Sequence, residues 1–177
     1  FSILLKPNGI ATFEFPHVLN LMNNNQFDSI YHEHYSYLSF SSACNIFGFN
    51  GLTVFDVEQI PTHGGSLRVY VQLTNSGSNK VNKNVLDLKE KEKRAGINRI
   101  NTYQGFQEQA EDIKNNFLSF LNKTKIAGHS VVGYGAAAKG STFLNFAGVR
   151  ANLLPYVVDK SIAKQDKFMP GSRVPIM

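Results

Sequence analysis

The sequence predicts an α/β protein in three parts: a small sheet, then a helical connector, then a unit of strands and a glycine-rich turn. Three observations predict this fold class. Short segments rich in β-branched and aromatic residues, bounded by turn formers, recur over residues 1–75. A long stretch with helical periodicity follows over 76–128. Over 129–177, a buried-strand pattern runs directly into closely spaced glycines.

Three strands are predicted in the first part. Segment 10–15 is rich in β-branched and aromatic residues and lies between Gly9 and Pro16, which both interrupt regular structure. Segments 52–58 and 66–73 alternate apolar and polar residues, as strands with one buried face do. These segments are long enough to form a sheet with a hydrophobic face.

Shorter elements are expected around these strands. Residues 1–9 have the pattern of a helix end followed by a Pro-Asn-Gly turn. An asparagine-rich loop is expected after the first strand. A short helix is predicted over 39–48, because Ser39 is a good N-cap and Gly48 is a good helix stop.

The connector is predicted to be mainly helical. Residues 75–84 are polar and make a plausible linker, and Gly96 and Gly105 are expected to break the helical pattern of 85–127. The charged run 89–94 is expected to be a solvated helix face. The apolar stripe further along this region consists of Ile113, Phe117, Phe120 and Leu121.

The main candidate for chemistry is the run Tyr31-His32-Glu33-His34. An imidazole titrates near neutral pH, and a carboxylate beside it can fix its tautomer and raise its basicity. In an extended segment Tyr31 and Glu33 would share one face while His32 and His34 share the other, whereas a loop would let all four converge. The run therefore predicts a site that moves protons.

Two other interpretations of this run stay open. The polar ends of these side chains could be hydrogen-bonded to backbone groups at the edge of a core, which is the more common arrangement for a single histidine. A zinc site is less favoured, because His32 and His34 are only two residues apart and Cys44 is the single cysteine.

The glycine-rich turn is the second candidate. Gly133, Gly135 and Ala138 fit the G-x-G-x-x-A spacing, which lets the backbone turn tightly and present helix N-terminal N–H groups to a phosphate. A strand pattern at 130–132 precedes the turn, and a second apolar segment ends in Asp159, where such units place a ribose-binding acid. The alternative is a glycine turn needed only for close packing.

Composition and charge limit the classes of partner and the compartment that we expect for this protein. The 177 residues carry a formal net charge of +5, but the lysines are dispersed, which favours an anionic small molecule over nucleic acid. A single cysteine is typical of a reducing compartment, so a cytoplasmic location is expected. The sequence contains neither the apolar run of a membrane span nor the layout of a signal peptide.

Taken together, these motifs resemble the sugar C-methyltransferases, S-adenosylmethionine-dependent enzymes that methylate a carbon next to the ketone of a nucleotide-linked keto-deoxysugar. The resemblance covers nearly the whole chain, and its motifs are collinear. They are residues 5–9 through Glu14, 31–34, 63–68, 133–140, and 158–159 followed by Lys164-Gln165, Pro170-Gly171 and 174–176.

The resemblance implies a fold and a set of site residues. Residues 1–75 would be the second half of a class I methyltransferase sheet, whose last strand runs antiparallel to its neighbours, and 129–177 a partial Rossmann-like domain. Tyr31, Glu33 and His34 would be catalytic. We expect His34 to be the base, with Glu33 orienting it and Tyr31 donating to an oxygen, and the sequence alone leaves open which of them takes the proton. The residues expected to bind a thymidine-linked nucleotide-diphosphate sugar are His32, His63, Lys139, Asp159 and Lys164. The nucleotide or phosphate loop would be Gly133, Gly135 and Ala138.

The sequence also departs from the family pattern. The family's cysteine-rich zinc domain and its S-adenosylmethionine-binding glycine loop are expected upstream of Phe1, so the chain is expected to be a fragment with little activity alone. Zinc is expected only in that upstream domain. Two alternatives remain, namely a non-catalytic nucleotide-sugar binding module and an NAD(P)-dependent oxidoreductase built on the glycine-rich turn.

Overall fold

The computed structural model describes residues 1–177, which form two compact units. Unit 1 consists of Phe1–Gln26 and Tyr35–Gln104, and unit 2 consists of Phe27–His34 and Gly105–Met177. The boundaries of these units differ from the three-part division expected from the sequence. That division into domains stays a prediction. The short insertion Phe27–His34 matters for function, because it assigns the tyrosine-histidine run to the unit that also contains the glycine-rich turn.

The sheet of unit 1 has three strands, β1 (Ile10–Pro16), β2 (Leu52–Ile60) and β3 (Ser66–Leu73). The order is β1-β3-β2, and β3 is antiparallel to both neighbours. Val69 lies opposite Phe13 on one side and Val57 on the other. The three predicted strands are confirmed, and so is the antiparallel direction of the last one.

The core of unit 1 lies under the central strand. Leu67, Val69 and Val71 of β3 are completely buried, as expected for alternate residues on the covered face of a sheet. Helix α2 (Phe40–Phe49) and helix α3 (Lys83–Ala95) complete this hydrophobic cluster.

Two local predictions in unit 1 were only partly right. Helix α1 (Val18–Asn23) occupies most of the expected asparagine-rich loop, because Val18, Leu19 and Leu21 can all be buried on one side of a short helix, and residues 24–26 remain outside it. The predicted Pro-Asn-Gly turn is confirmed, since the Gly9 amide donates to the Lys6 carbonyl at 2.8 Å, but a single turn closed by the Leu5 amide and the Phe1 carbonyl at 3.0 Å precedes it rather than the end of a helix.

The predicted N-cap of α2 is confirmed, but its predicted end was too early. The Ser39 side chain accepts a hydrogen bond from the Ser42 amide. The helix continues past Gly48 to Phe49, because Asn50 provides the cap and its side chain donates to the Ile46 carbonyl at 2.8 Å.

The two glycines in the connector break it as predicted. Helix α3 ends at Gly96, whose φ of 72° is left-handed, and helix α4 (Phe106–Ile126) begins after Gly105, whose φ is 83°. A short 3₁₀ helix, Ile100–Tyr103, lies between them. The predicted stripe on α4 was partly wrong, since Leu121 is buried but Phe120 is half exposed.

Unit 2 contains a small parallel sheet of β4 (Gly133–Tyr134) and β5 (Val157–Val158), followed in each case by a turn. Helix α5 (Ala138–Phe146) follows the glycine-rich turn, as predicted. The strand expected at 130–132 begins at Gly133 instead, because the Gly133 amide donates to the Tyr156 carbonyl and the Gly135 amide donates to the Val158 carbonyl. The core of this unit includes Leu121, Leu144, Val149, Met169 and Val174.

Candidate active site

The tyrosine-histidine run is held in unit 2 by Phe27. This residue lies in a 3₁₀ helix, Phe27–Ser29, and is only 8% exposed. Its ring centroid is 5.2 Å from that of Phe146 and 6.0 Å from that of Phe143, both on α5. Because aromatic packing at these distances fixes the start of the segment, the residues that follow leave α5 from a defined point.

A turn brings Tyr31 and His34 together. The His34 amide donates to the Tyr31 carbonyl at 3.0 Å, and the Tyr31 phenol oxygen lies 3.2 Å from His34 Nε2. The two rings meet edge to face, with centroids 4.8 Å apart. The segment is therefore a turn and not an extended strand, so two residues that an extended chain would place on opposite faces share one hydrogen bond.

His32 and Glu33 are placed differently. Their side chains are 86% and 70% exposed, and His32 Nε2 lies 4.0 Å from Glu33 Oε1. Glu33 is thus paired with His32, whereas the hydrogen-bond partner of His34 is Tyr31. The orienting role of Glu33 and the substrate contact of His32 stay predictions.

The glycine-rich turn needs its two glycines for different reasons. A Cβ on Gly133 would lie 2.7 Å from Val157 Cγ1, so this position requires close packing of the two strands. Gly135 has a φ of 93°, which side-chain-bearing residues rarely adopt, and nothing lies near the position of a Cβ. The turn therefore approaches its own sheet at Gly133 and leaves open space at Gly135.

The N-terminus of α5 suits an anion. Its N-cap is Ala137, which has no side chain to accept from the first-turn N–H groups. Half-buried Lys139 lies in this first turn, where the helix dipole disfavours a cation. A bound phosphate would satisfy the N–H groups and offset that unfavourable charge.

Asp159 is engaged within unit 2. Its carboxylate accepts from the Ala136 amide at 2.7 Å, from the Ser161 amide at 2.9 Å and from Lys164 Nζ at 3.1 Å. The Ala136 and Ser161 amides, followed by Lys164, lower the pKa of Asp159 to about 2. Asp159 and Lys164 therefore fix the glycine-rich turn, and their contacts with a substrate stay predictions.

His63 belongs to unit 1, where it occupies a strained loop. Its φ of 52° is unusual for a residue other than glycine. The next two residues have positive φ angles, 84° for Gly64 and 119° for Gly65, which residues with side chains rarely adopt. The loop thus depends on these two glycines, and the substrate contact of His63 stays a prediction.

The sequence prediction missed a fully buried pair in unit 1, His17 and Glu92. Glu92 lies in the charged run that was expected to face solvent, and that expectation was wrong for this residue. Val85, Leu88 and Glu92 are spaced three and four residues apart and are the buried residues of α3. Helical spacing could therefore have indicated that this glutamate points inward.

Two further findings concern metals and membranes. No group of three or more His, Cys, Asp or Glu side chains is arranged to hold a metal ion. None of the helices combines the length and apolar character of a membrane span.

Comparison with known proteins identifies the class. Residues 61–177 match the family described as the C-methyltransferase C-terminal domain. Because the match covers well over half of the chain, the protein belongs to this C-methyltransferase family, and the resemblance noted in the sequence is confirmed. It is 36% identical over 175 residues to the C-methyltransferase NovU of Streptomyces niveus. The alignment covers 99% of this chain and 41% of NovU, so the chain corresponds to part of a C-methyltransferase.

Proposed function

We propose that this chain supplies the base and the phosphate contacts for S-adenosylmethionine-dependent C-methylation of a nucleotide-linked 4-keto-deoxysugar. The observation that carries the proposal is the 3.2 Å contact between the Tyr31 phenol and His34 Nε2, in a turn anchored on α5, within a C-methyltransferase. A phenol paired with an imidazole can both accept a proton and donate to a developing oxyanion.

The proton step uses only residues of this chain. The substrate ketone takes over the Tyr31 hydroxyl as its hydrogen-bond donor, which releases His34 Nε2. The imidazole then accepts the proton from the carbon beside the ketone, forming a new N–H bond. The electrons of the broken C–H bond move into an enolate, whose oxygen the Tyr31 hydroxyl stabilises.

S-adenosylmethionine, which methyltransferase homology implies, supplies an electrophilic methyl group when bound. The glycine-rich turn does not fit this cofactor, because Asp159, the acid that would accept from its ribose, already accepts three hydrogen bonds. The turn fits a phosphate better. Lys139 and the first-turn N–H groups of α5 are therefore proposed to hold the diphosphate of the nucleotide-sugar, with His32 and Lys164 of the same unit as further contacts.

The test follows deuterium exchange at the carbon beside the ketone. The protein is incubated in D₂O with a thymidine-diphosphate 4-keto-deoxysugar, without S-adenosylmethionine, and the exchanging proton is followed by NMR. His34→Ala should slow exchange by about 10²- to 10⁴-fold, with sugar affinity changed only a few-fold, because general-base catalysis acts in the transition state. His129→Ala, which removes an exposed histidine of the same unit, is the control.

Two outcomes would contradict the proposal. Exchange within a few-fold of wild type in His34→Ala would assign the base to another residue. Saturable sugar binding by wild type without any exchange would favour the non-catalytic binding module. An oxidoreductase is less favoured than either, since a nicotinamide cofactor would also need a ribose-binding acid, and Asp159 is engaged.

A further inference from the structure

Unit 1 contains a completely buried ionisable pair that the proposed proton step does not use. His17 and Glu92 are both 0% exposed, and His17 Nε2 lies 2.7 Å from Glu92 Oε1. His17 is the N-cap of α1, and Glu92 lies near the end of α3. Burying a carboxylate is unfavourable unless it is fully hydrogen-bonded, so the hydrogen-bond partners of Glu92 indicate its role.

Glu92 binds the N-terminus of α2 with both oxygens. Oε1 accepts from the Phe40 amide at 2.6 Å, and Oε2 accepts from the Ser41 amide at 2.8 Å and the Ser41 hydroxyl at 2.6 Å. The positive end of the helix dipole lies at the same place. Burial alone would raise the pKa of Glu92, but the hydrogen bonds from His17, Ser41 and Phe40 outweigh it, so the pKa is lowered and the group is an anion.

This anion does more than a helix cap requires. Ser39 already caps α2 through the Ser42 amide at 3.0 Å. Position 92 also lies on the buried stripe of α3 with Val85 and Leu88, where an apolar side chain would serve packing. The additional hydrogen bonds of Glu92 fix the backbone at Phe40 and Ser41.

His17 extends the same arrangement to two more places. Its Nε2 donates to the Glu92 carboxylate, while its buried Nδ1 has no hydrogen-bond partner. Its backbone amide donates to the Gly65 carbonyl at 3.1 Å, and the next amide, of Val18, donates to the Leu38 carbonyl at 3.1 Å. The side-chain pair thus holds Phe40 through Glu92, next to the place where the His17 and Val18 amides hold the Gly65 and Leu38 carbonyls.

We infer that Glu92 is a positioning residue, which orders the chain where it leaves the Tyr31–His34 turn. Leu38 follows His34 by four residues, and residues 38–41 are tied through Val18 and Glu92. A loosely held exit would let the turn sample geometries in which Tyr31 and His34 do not meet the substrate together. The inference rests on the proposed function, because it concerns the proton step assigned to that turn.

The test compares Glu92→Gln with Glu90→Gln, a partly exposed glutamate of the same helix that pairs with Arg94. The glutamine amide places N–H groups against N–H donors, so the Phe40 and Ser41 amides should exchange with solvent at least about tenfold faster while β3 stays protected. The deuterium exchange rate of the 4-keto sugar should fall by between about tenfold and a hundredfold, with sugar affinity unchanged. Glu90→Gln should match wild type in both measurements.

Each other outcome overturns the inference. Faster exchange at Phe40 and Ser41 with an unchanged sugar rate would make Glu92 a structural cap only, and equal loss of protection in β3 would indicate general unfolding. Should Glu92→Gln not fold, Glu92→Asp keeps the charge but shortens the reach, and an unchanged sugar rate in that variant contradicts the inference. If wild type does not exchange the sugar proton, the proposed function itself has failed and the positioning role fails with it.

Discussion

The chain contains two histidine-glutamate pairs with opposite surroundings. His17 and Glu92 are completely buried, 2.7 Å apart, and the carboxylate accepts from three further donors. His32 and Glu33 are largely exposed and 4.0 Å apart. The same residue types thus form a buried, hydrogen-bonded pair in one place and a solvated pair in the other. Burial and the number of donors, rather than residue type, decide which groups can change partners during a reaction.

The first prediction tests this difference through stability. Glu92→Ala leaves several buried donors without an acceptor and should lower the free energy of unfolding by about 3–5 kcal/mol. Glu33→Ala, in the exposed pair, should change it by less than about 0.5 kcal/mol. Urea unfolding followed by circular dichroism measures both, and similar values for the two variants would remove the distinction.

The second prediction concerns the half-buried neighbours of the exposed pair. Tyr31→Phe keeps the ring packing against His34 but removes the hydroxyl. Deuterium exchange of the 4-keto sugar should fall by about 10²-fold, as when an oxyanion donor is removed, with stability unchanged. Tyr35→Phe, whose side chain is almost fully exposed, is the control. Equal rates in all three proteins would assign the oxyanion to another donor.

The third prediction extends the comparison to two lysines of unit 2. Lys164 is paired with Asp159, whereas Lys139 lies in the first turn of α5, where it is proposed to meet a phosphate. Lys139→Ala should weaken binding of a thymidine-diphosphate sugar by about 1–3 kcal/mol, the value of a charge-assisted hydrogen bond. Calorimetry measures the affinity, with exposed Lys160→Ala as the control. An unchanged affinity would indicate that the glycine-rich turn serves packing and not phosphate binding.

The fourth prediction has the smallest expected effect. It asks whether the Asp159 carboxylate is held by its hydrogen-bond donors, as the Glu92 carboxylate is. Its pKa is lowered from 3.8 to about 2, so the folded state holds the proton less tightly than the unfolded chain does. The stabilisation is therefore complete above about pH 4 and is lost as the pH falls through about 2. The Ala136 amide shift in NMR should titrate in this window, and Asp159→Asn should abolish that titration. A midpoint near 3.8 would show that the carboxylate is not engaged.

Much of the fold follows from local patterns. The alternation over 52–58 and 66–73 predicted β2 and β3, and Gly96 and Gly105 predicted the breaks in the connector. Helix α1 could not be predicted in this way, because Val18–Asn23 has only six residues and asparagines in and after it favour a loop. Its helical state depends on burial of its apolar side against the rest of unit 1.

The candidate site was predictable in residue types more than in partners. The run 31–34 indicated proton chemistry, but its spacing did not reveal that a turn would pair Tyr31 with His34 rather than Glu33 with His34. Glu92 was not predicted to be buried, because its neighbours in sequence are charged. Its position on the buried stripe of α3 was the signal that pointed inward. Its partner, His17, is 75 residues away in sequence, and only tertiary structure brings the two together.

The insertion of Phe27–His34 into unit 2 has a consequence for biosynthesis. A ribosome makes this segment before Phe143 and Phe146, against which Phe27 packs, and all of Tyr35–Gln104 is made in between. The segment must therefore stay unpaired while Tyr35–Gln104 completes unit 1, and contacts between residues this distant in sequence form slowly. The Tyr31–His34 turn therefore cannot pack in its final place before α5 has been made, so a nascent chain cannot acquire the proposed activity before then.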